Sequence, residues 1–402
     1  MITISSETLP EYQKFLKDQQ IDGWLIYDFH NLNHFAREFL PLEPDVFLTR
    51  RYFYFMPAEG TPKMLIHRIE RENFEQLPGE ITPYTGWAEL EAGLADILKG
   101  YNRIAMEYSP SAALPYVSMV DAGTIEMVRK CGVEIVPSSN IIQYFASRWT
   151  SEGYRLHMET VPKVHEIRLR AFKTIADKVR SGTKVTEYEI MQQIADDFVA
   201  AGLTYDHPPV VAVNEHAAMP HYGPTAEKSA EIKAGDLVLI DMWCKQADNP
   251  EATYVDITWT GYVGEQVPAR IKEIYDIVAG GRDAALALID ERLKAGKEIA
   301  GWEVDEACRK VIADAGYGEY FTHRTGHSID VEVHGAGVNI DHLEVRDDRT
   351  LIKGVGFSIE PGIYLPGEFG VRSEINAYIG ENGLEVTTAP TQTEVLPLLS
   401  MF

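Results

Sequence analysis

A chain of 402 residues that is 45% hydrophobic and 24% charged has the composition of an ordinary soluble globular protein, with the length for two domains and a large core. Its formal net charge of −24 argues against nucleic acid or an anionic membrane as a partner, because both are bound through basic faces. The three cysteines, Cys131, Cys244 and Cys308, are too few and too scattered for a disulfide framework or a thiolate zinc site, which points to a reducing compartment.

The opening residues, MITISSETLPEYQKF, lack a basic segment followed by an apolar one, so no signal peptide is expected. Leu9–Gln20 has the spacing of a short amphipathic helix. Gly23–Tyr27, Tyr52–Met56 and Lys63–His67 have the pattern of strands, as do Asn102–Glu107 and Val133–Pro137. Trp87–Lys99 and Ala113–Cys131 are predicted helices. This alternation predicts an α/β layer over roughly the first 150 residues. It contains no Gly-rich phosphate loop; the pair Arg50–Arg51 suits either an anion or a solvated loop.

Beyond residue 150 the pattern changes. A long charged helix is predicted over Val161–Ser181, ended by Gly182. Thr186 and Glu189 form a capping box for a second helix that stops at Gly202. Pro268–Lys297 is a third helix, with Gly280–Gly281 as a possible break, and Val304–Ala315 a fourth. Strands are predicted at Val210–Val213, Asp236–Cys244, Tyr254–Val263, Phe357–Tyr364 and Gly370–Tyr378, with a return strand near Leu384–Thr388 after the Asn382–Gly383 turn. Antiparallel strands with helices to one side predict an α+β domain. No apolar run reaches membrane-spanning length, so a cytoplasmic protein is expected.

Asp236–Gly264 holds the first chemical signal. Each of its two strands carries one carboxylate, Asp241 or Asp256, through an apolar surface. An ionised carboxylate is rarely buried without a partner or a cation, and two facing each other repel unless a divalent ion intervenes. Asp241, Asp256, His327, Glu360 and Glu374 together supply four carboxylates and one imidazole in strand settings of one domain. That donor set does not suit structural zinc; it suits a pair of harder ions, manganese first, with cobalt, iron or zinc as alternatives. Two such ions about 3.5–4 Å apart can activate a shared water and hold a tetrahedral intermediate. Taken singly, each residue also has a plain structural reading, as a turn former, a solvent-facing Glu or a core His.

The local words around these residues resemble those of the creatinase, aminopeptidase P and prolidase family. They are Pro220-His221-Tyr222, Leu239-Ile-Asp241, Tyr254-Val-Asp256-Ile-Thr258, His323-x-x-Gly-His327, Val333-His334, Ile359-Glu360-Pro-Gly-Ile-Tyr364 and Val371-Arg372-x-Glu374, with Lys163-x-x-Glu166-Ile167 on the first helix. The match spans roughly residues 155–400. The resemblance implies a C-terminal pita-bread catalytic domain over 153–402 and a smaller α/β domain over 1–152. It implies two metal ions held by Asp241, Asp256, His327, Glu360 and Glu374, with Asp256 and Glu374 bridging and Glu360 serving as general base toward a bridging water. His221 and His334 would bind substrate, stabilise the oxyanion or pass a proton to the leaving amine, and His323 and Arg372 would orient their neighbours. The implied activity is hydrolysis of Xaa-Pro bonds in small peptides by a homodimer, with Tyr27–Phe35 as a lip at the partner's site.

The chain departs from the family's usual words in four places. The loop Lys245–Thr253 is longer, Trp259 replaces an Arg, Ser328 and Asp330 replace glycines after His327, and Gly335 replaces a Glu after His334. No metal ligand is lost, but the substitutions fall where the substrate pocket is built. Strand alternation sends Trp259 to the face opposite Asp256, where it would only repack the core. The alternatives are a same-fold hydrolase or lyase acting on a non-peptide small molecule, and a non-catalytic binding protein.

Overall fold

The computed structural model describes residues 2–43 and 46–402, which form two compact units, Met1–Ala146 and Ser147–Phe402. In the first unit the order is α1 (Leu9–Asp18), β1 (Gly23–Asp28), α2 (His34–Phe39), β2 (Tyr52–Pro57), β3 (Lys63–His67), β4 (Glu80–Tyr84), α3 (Trp87–Ile97), β5 (Arg103–Met106), α4 (Ala122–Arg129), β6 (Glu134–Pro137) and α5 (Ser139–Ile142). The strands make one six-stranded sheet, β4-β3-β2-β1-β5-β6, in which only β2 runs against its neighbours. Every residue of β1 and β2 is buried, as expected of central strands covered on both faces. The predicted helix Ala113–Cys131 is shorter than its pattern suggested. Pro110 and Pro115 restrict their turns to 3-10 geometry, and the helix starts only where Asp121 caps Thr124. Within this unit Asp28 accepts the backbone N–H groups of Asn31 and Asn33 and so shapes the segment Tyr27–Phe35. Glu107, pushed up to about 7 by burial, accepts from Trp24 Nε1 and Asn33 Nδ2. Arg50 and Arg51 line a cavity of about 840 Å³ at the carboxyl ends of β1, β3 and β4.

The second unit opens with α6 (Ser151–Arg180) and α7 (Glu187–Ala200), followed by β7 (Leu203–Thr204), β8 (Val210–Val213), β9 (Leu237–Gln246) and β10 (Val255–Tyr262). Then come α8 (Ala269–Lys294), α9 (Gly301–Asp314), β11 (Ser328–Ile329), β12 (Gly356–Ile359), β13 (Gly362–Leu365), β14 (Phe369–Arg372), β15 (Ile375–Gly380), β16 (Gly383–Val386), β17 (Leu396–Pro397) and α10 (Leu398–Met401). One sheet is built on β9, flanked by β10 and β7 and joined by β8; a second has the order β11-β12-β15-β16; β13 and β14 form a separate pair. Helices α6 and α7 cover the first sheet through Phe172, Ile175, Ile190 and Ile194, which meet Ile240, Met242, Ile257 and Trp259. Burying each such side chain contributes about 1.5–3 kcal/mol. Helices α8 and α9 cover the other strands through Ile274, Tyr275, Cys308 and Ile312.

Several boundaries differ from expectation. Helix α6 begins ten residues before Val161, because Thr150 caps Gly153 and Pro162 is carried inside the helix. Helix α8 runs unbroken through Gly280–Gly281; a Cβ at Gly281 would stand 3.1 Å from Cys308 Sγ, so that glycine serves close helix packing. The predicted strand Phe357–Tyr364 divides at Glu360–Pro361 into β12 and β13, and Gly370–Tyr378 divides at Ser373–Glu374 into β14 and β15. Arg372, Glu374 and Asn376 therefore do not share one continuous strand. Both breaks fall at the glutamates the sequence singles out.

Candidate metal centre

Strands β9 and β10 pair antiparallel, with Thr258 opposite Asp241 and Asp256 opposite Trp243. Opposed residues share a face and alternate residues repeat it. Asp241, Trp243, Asp256 and Thr258 therefore project away from α6 and α7, while Ile240, Met242, Ile257 and Trp259 pack beneath them. Trp259 lies on the core face as alternation requires, its ring centroid 3.4 Å from the guanidinium carbon of Arg168. The break between β14 and β15 turns Glu374 onto the face of Asp256. Its N–H donates to Thr258 O at 3.2 Å, and its Oε2 accepts from Thr258 Oγ1 at 2.8 Å. Asp256 N donates to Asn376 Oδ1 at 2.8 Å, tying β10 to the start of β15.

His327 enters just before β11, its N–H held by Ser358 Oγ at 2.9 Å. Its Nδ1 lies 3.1 Å from Ser328 O. A carbonyl only accepts, so Nδ1 carries the proton and Nε2 is turned to the carboxylates. Nε2 stands 3.2 Å from Glu360 Oε1 and 3.7 Å from Asp256 Oδ2. Asp256, His327 and Glu374 each offer a donor atom, all within 4.8 Å of one another. Asp241 and Glu360 flank this trio: Asp241 Oδ2 accepts from Arg372 Nη2, and Glu360 faces His327.

The arrangement is electrostatically incomplete. Asp241 Oδ1, Asp256 Oδ1 and Glu374 Oε1 are buried without a hydrogen-bond partner among the described residues. Burial, then repulsion from Asp241 and Glu360, drives the Asp256 carboxyl well above its usual range. Burial and the charge of Asp256 do the same to Glu374, and burial raises Asp241 against the pull of Arg372. Burial also raises Glu360, but contacts with His327, His323 and Arg372 outweigh it and hold this carboxyl below its usual range. Oxygen lone pairs and an imidazole nitrogen thus converge with one buried cation, Arg372, at the edge. This donor set fits divalent ions with a preference for oxygen, the chemistry expected from the sequence.

The other residues singled out in the sequence lie around this cluster. Arg372 Nε donates to Thr258 Oγ1 at 3.0 Å and Nη1 to Tyr364 OH at 3.1 Å. Tyr364 OH in turn lies 2.6 Å from His323 Nε2, and burial lowers His323 to about 4. His334 is exposed, its ring 4.3 Å from that of His327; a positive charge on that ring, when it is protonated, and then burial lower His334 to about 4. His221 is exposed and lines a cavity of about 770 Å³ with His323 and Lys228. Sequence reasoning assigned no role to Thr258, Tyr364 or Trp243. Thr258 and Trp243 were open to discovery, since each is two residues from a singled-out aspartate on its strand.

The departures near His334 form one packed unit. A Cβ at Gly335 would lie 2.2 Å from Asp330 Oδ2, and one at Gly337 would lie 2.5 Å from Ser328 Oγ. The bulk gained at 328 and 330 is therefore accommodated by the missing side chains at 335 and 337.

A model of the metallopeptidase family M24 matches residues 159–381, more than half of the chain. The probable dipeptidase PepE of Mycobacterium tuberculosis is 28% identical over 351 residues, covering 85% of each chain. The Xaa-Pro dipeptidase of Lactobacillus delbrueckii is 36% identical over 190 residues, covering 47% of each. Among solved structures, the dipeptidase PepE of Mycobacterium ulcerans matches with a TM-score of 0.67 at 22% identity, over 97% of both chains. The prolidase of Thermococcus sibiricus matches with a TM-score of 0.61 at 20% identity, over 96% of this chain and 98% of that one. At those identities the structural likeness shows the fold, the pita-bread architecture expected from the sequence. No helix among the described residues is long and apolar enough to cross a membrane.

Proposed function

The chain belongs to metallopeptidase family M24, and from that premise we propose that it hydrolyses the amide bond between an N-terminal residue and a following proline. The observation that carries the chemistry is the buried trio of Asp256, His327 and Glu374, in which Asp256 Oδ1 and Glu374 Oε1 have no hydrogen-bond partner among the described residues. Asp241, Asp256, His327, Glu360 and Glu374 would hold two divalent ions, manganese in our reading. Such ions supply an acidified water and a polarised carbonyl. The names of the relatives, dipeptidases and Xaa-Pro dipeptidases, support the substrate class.

The residues divide the remaining work. Glu360 is ionised and sits at the edge of the trio, so it is the base that takes the proton of the attacking water. His334, lowered to about 4, is neutral at pH 7 and offers an N–H to the developing oxyanion without adding charge to the site. His221, exposed on the cavity wall, would deliver a proton to the leaving nitrogen. That nitrogen needs one, because proline leaves as a secondary amine from a tertiary amide. Arg372 holds Asp241, Thr258 and Tyr364 in one chain and so fixes the orientation of the donor set. Purified protein loaded with manganese should release free proline from Xaa-Pro dipeptides. A folded sample that releases none with manganese, cobalt, iron or zinc would overturn the proposal.

A further inference from the structure

The face of β9 that carries Asp241 continues through Trp243 and Lys245, each two residues further on. Trp243 lies directly across from Asp256, so its indole stands beside the carboxylate cluster. It is half-buried, and its lower part packs with Trp149, Tyr254, Ile329 and Val333, the residue before His334. Its ring N–H donates to Asp206 Oδ1 at 2.6 Å, which fixes the direction of the indole plane. Lys245 Nζ donates to Val331 O and lies 4.9 Å from the centroid of the Tyr254 ring. The cluster thus has two unlike flanks. On one side Arg372 and Tyr364 link it to His323, which lines the cavity of about 770 Å³ with His221; on the other stands Trp243, anchored by Asp206.

We infer that Trp243, held by Asp206, is a specificity-determining residue that limits the size of the side chain preceding the scissile bond. The role of His221 decides which end of the substrate lies there: in the Xaa-Pro reading it protonates the leaving proline nitrogen, and it lines the opposite cavity. The charges beside Trp243 are mixed: Asp206 holds its ring N–H, and Lys245 Nζ lies 4.9 Å from the Tyr254 ring. The opposite cavity carries Lys228, whose side chain is exposed and suits a terminal carboxylate, although Glu344 also lines it. A dipeptide therefore lies with its N-terminal residue against the indole and its proline in the cavity. The wall favours small N-terminal side chains, because an indole fixed by a hydrogen bond at its far end does not swing away for a large one. This inference rests on the Xaa-Pro reading above and adds a substrate preference to it.

The test compares kcat/KM for Gly-Pro and Phe-Pro with manganese-loaded enzyme, with metal content measured in the same samples. Wild type should favour Gly-Pro. W243A should lower the Gly-Pro to Phe-Pro ratio by about tenfold or more, the scale on which pocket contacts discriminate side chains. D206A, which frees the indole without removing it, should shift the ratio the same way by less, and keeps the test open if W243A does not fold. D206N retains an oxygen that accepts the indole N–H and should preserve the wild-type ratio. A ratio unchanged in folded, metal-replete W243A, or in D206A where W243A does not fold, overturns the inference alone. A wild type that releases no proline overturns the Xaa-Pro reading and this inference with it.

Discussion

Glu187 and Glu374 are both buried carboxylates in the second unit, and the fold treats them in opposite ways. Glu187, at the first position of α7, accepts from Val213 N at 2.8 Å, His216 Nδ1 at 2.9 Å, Tyr222 OH at 2.6 Å and Ala230 N at 2.7 Å. Both of its oxygens are satisfied, and it ties α7 to the end of β8 and to the loop that carries His221. Glu374 accepts one hydroxyl through Oε2, leaves Oε1 without a partner, and faces Asp256 across the cluster. A carboxylate that serves the fold is surrounded by donors from the chain itself. A carboxylate kept for a ligand is buried with its lone pairs unspent, and the unbound protein bears the repulsion.

Replacing Glu374 by Gln breaks this contrast most sharply. The amide keeps the shape and removes one of the repelling charges. Activity should fall at least about a hundredfold, since even outer partners of a metal site cost 10–100-fold. Metal-free E374Q should nevertheless melt no lower than metal-free wild type. The pH dependence carries the same sign. The Asp256 and Glu374 carboxyls are raised in the folded state, so their contribution to stability is fully present below the ordinary carboxylate range near 4 and is lost as pH rises through their higher folded values. In thermal melts after chelator treatment, the change from pH 5 to pH 7 should be less unfavourable for E374Q than for wild type, and manganese should remove the difference for wild type. Equal pH dependence in the two proteins would show that repulsion at Glu374 does not limit the unbound state.

Glu187→Gln tests the other side of the comparison. One acceptor becomes an NH₂ facing two of the four donors, leaving at least one of them unpaired at a cost of about 1–3 kcal/mol. That loss should appear equally in metal-free and metal-loaded protein, with metal content unchanged. Hydrogen exchange should rise over residues 214–230 and not at β10. A loss confined to the metal-loaded form would place Glu187 with the cluster rather than with the fold.

The contrast also explains what the sequence made legible. Asp241 and Asp256 stood out because each interrupts an apolar strand, a local anomaly that survives without any knowledge of the third dimension; His327, Glu360 and Glu374 joined them through the words they share with the family. Strand alternation correctly placed Asp241 and Asp256 on one face and Trp259 on the other. The Glu187 hub was not visible, because its four partners are spread from Val213 to Ala230 and a Glu in the first turn of a helix already has a local explanation as a helix-end charge. The strand breaks at Glu360 and Glu374 were missed for a related reason. They occur where the chain leaves one sheet for another, and nothing local to Ser373 marks that exchange of partners. The first turns of α6, before Val161, were missed as well, because the cap at Thr150 places the start earlier.

The smallest expected effect concerns the hairpin between His327 and His334, where fold and site share the same residues. Asp330 is buried and raised to about 6 by that burial, and its Oδ1 accepts from Glu332 N at 2.9 Å. Its other oxygen fills the space that a side chain at 335 would need. Gly335→Ala must therefore displace the carboxylate, with an overpacking cost of about 1–3 kcal/mol. Asp330→Ala removes the obstacle, so the double variant D330A/G335A should be more stable than the sum of the single losses predicts, by at least about 0.5 kcal/mol. Denaturant melts of the four proteins measure this directly. Strict additivity would mean that the two departures arose independently and that Asp330 can move aside without strain. A positive coupling would mean that bulk was transferred from one arm of the hairpin to the other while the two histidines kept their places.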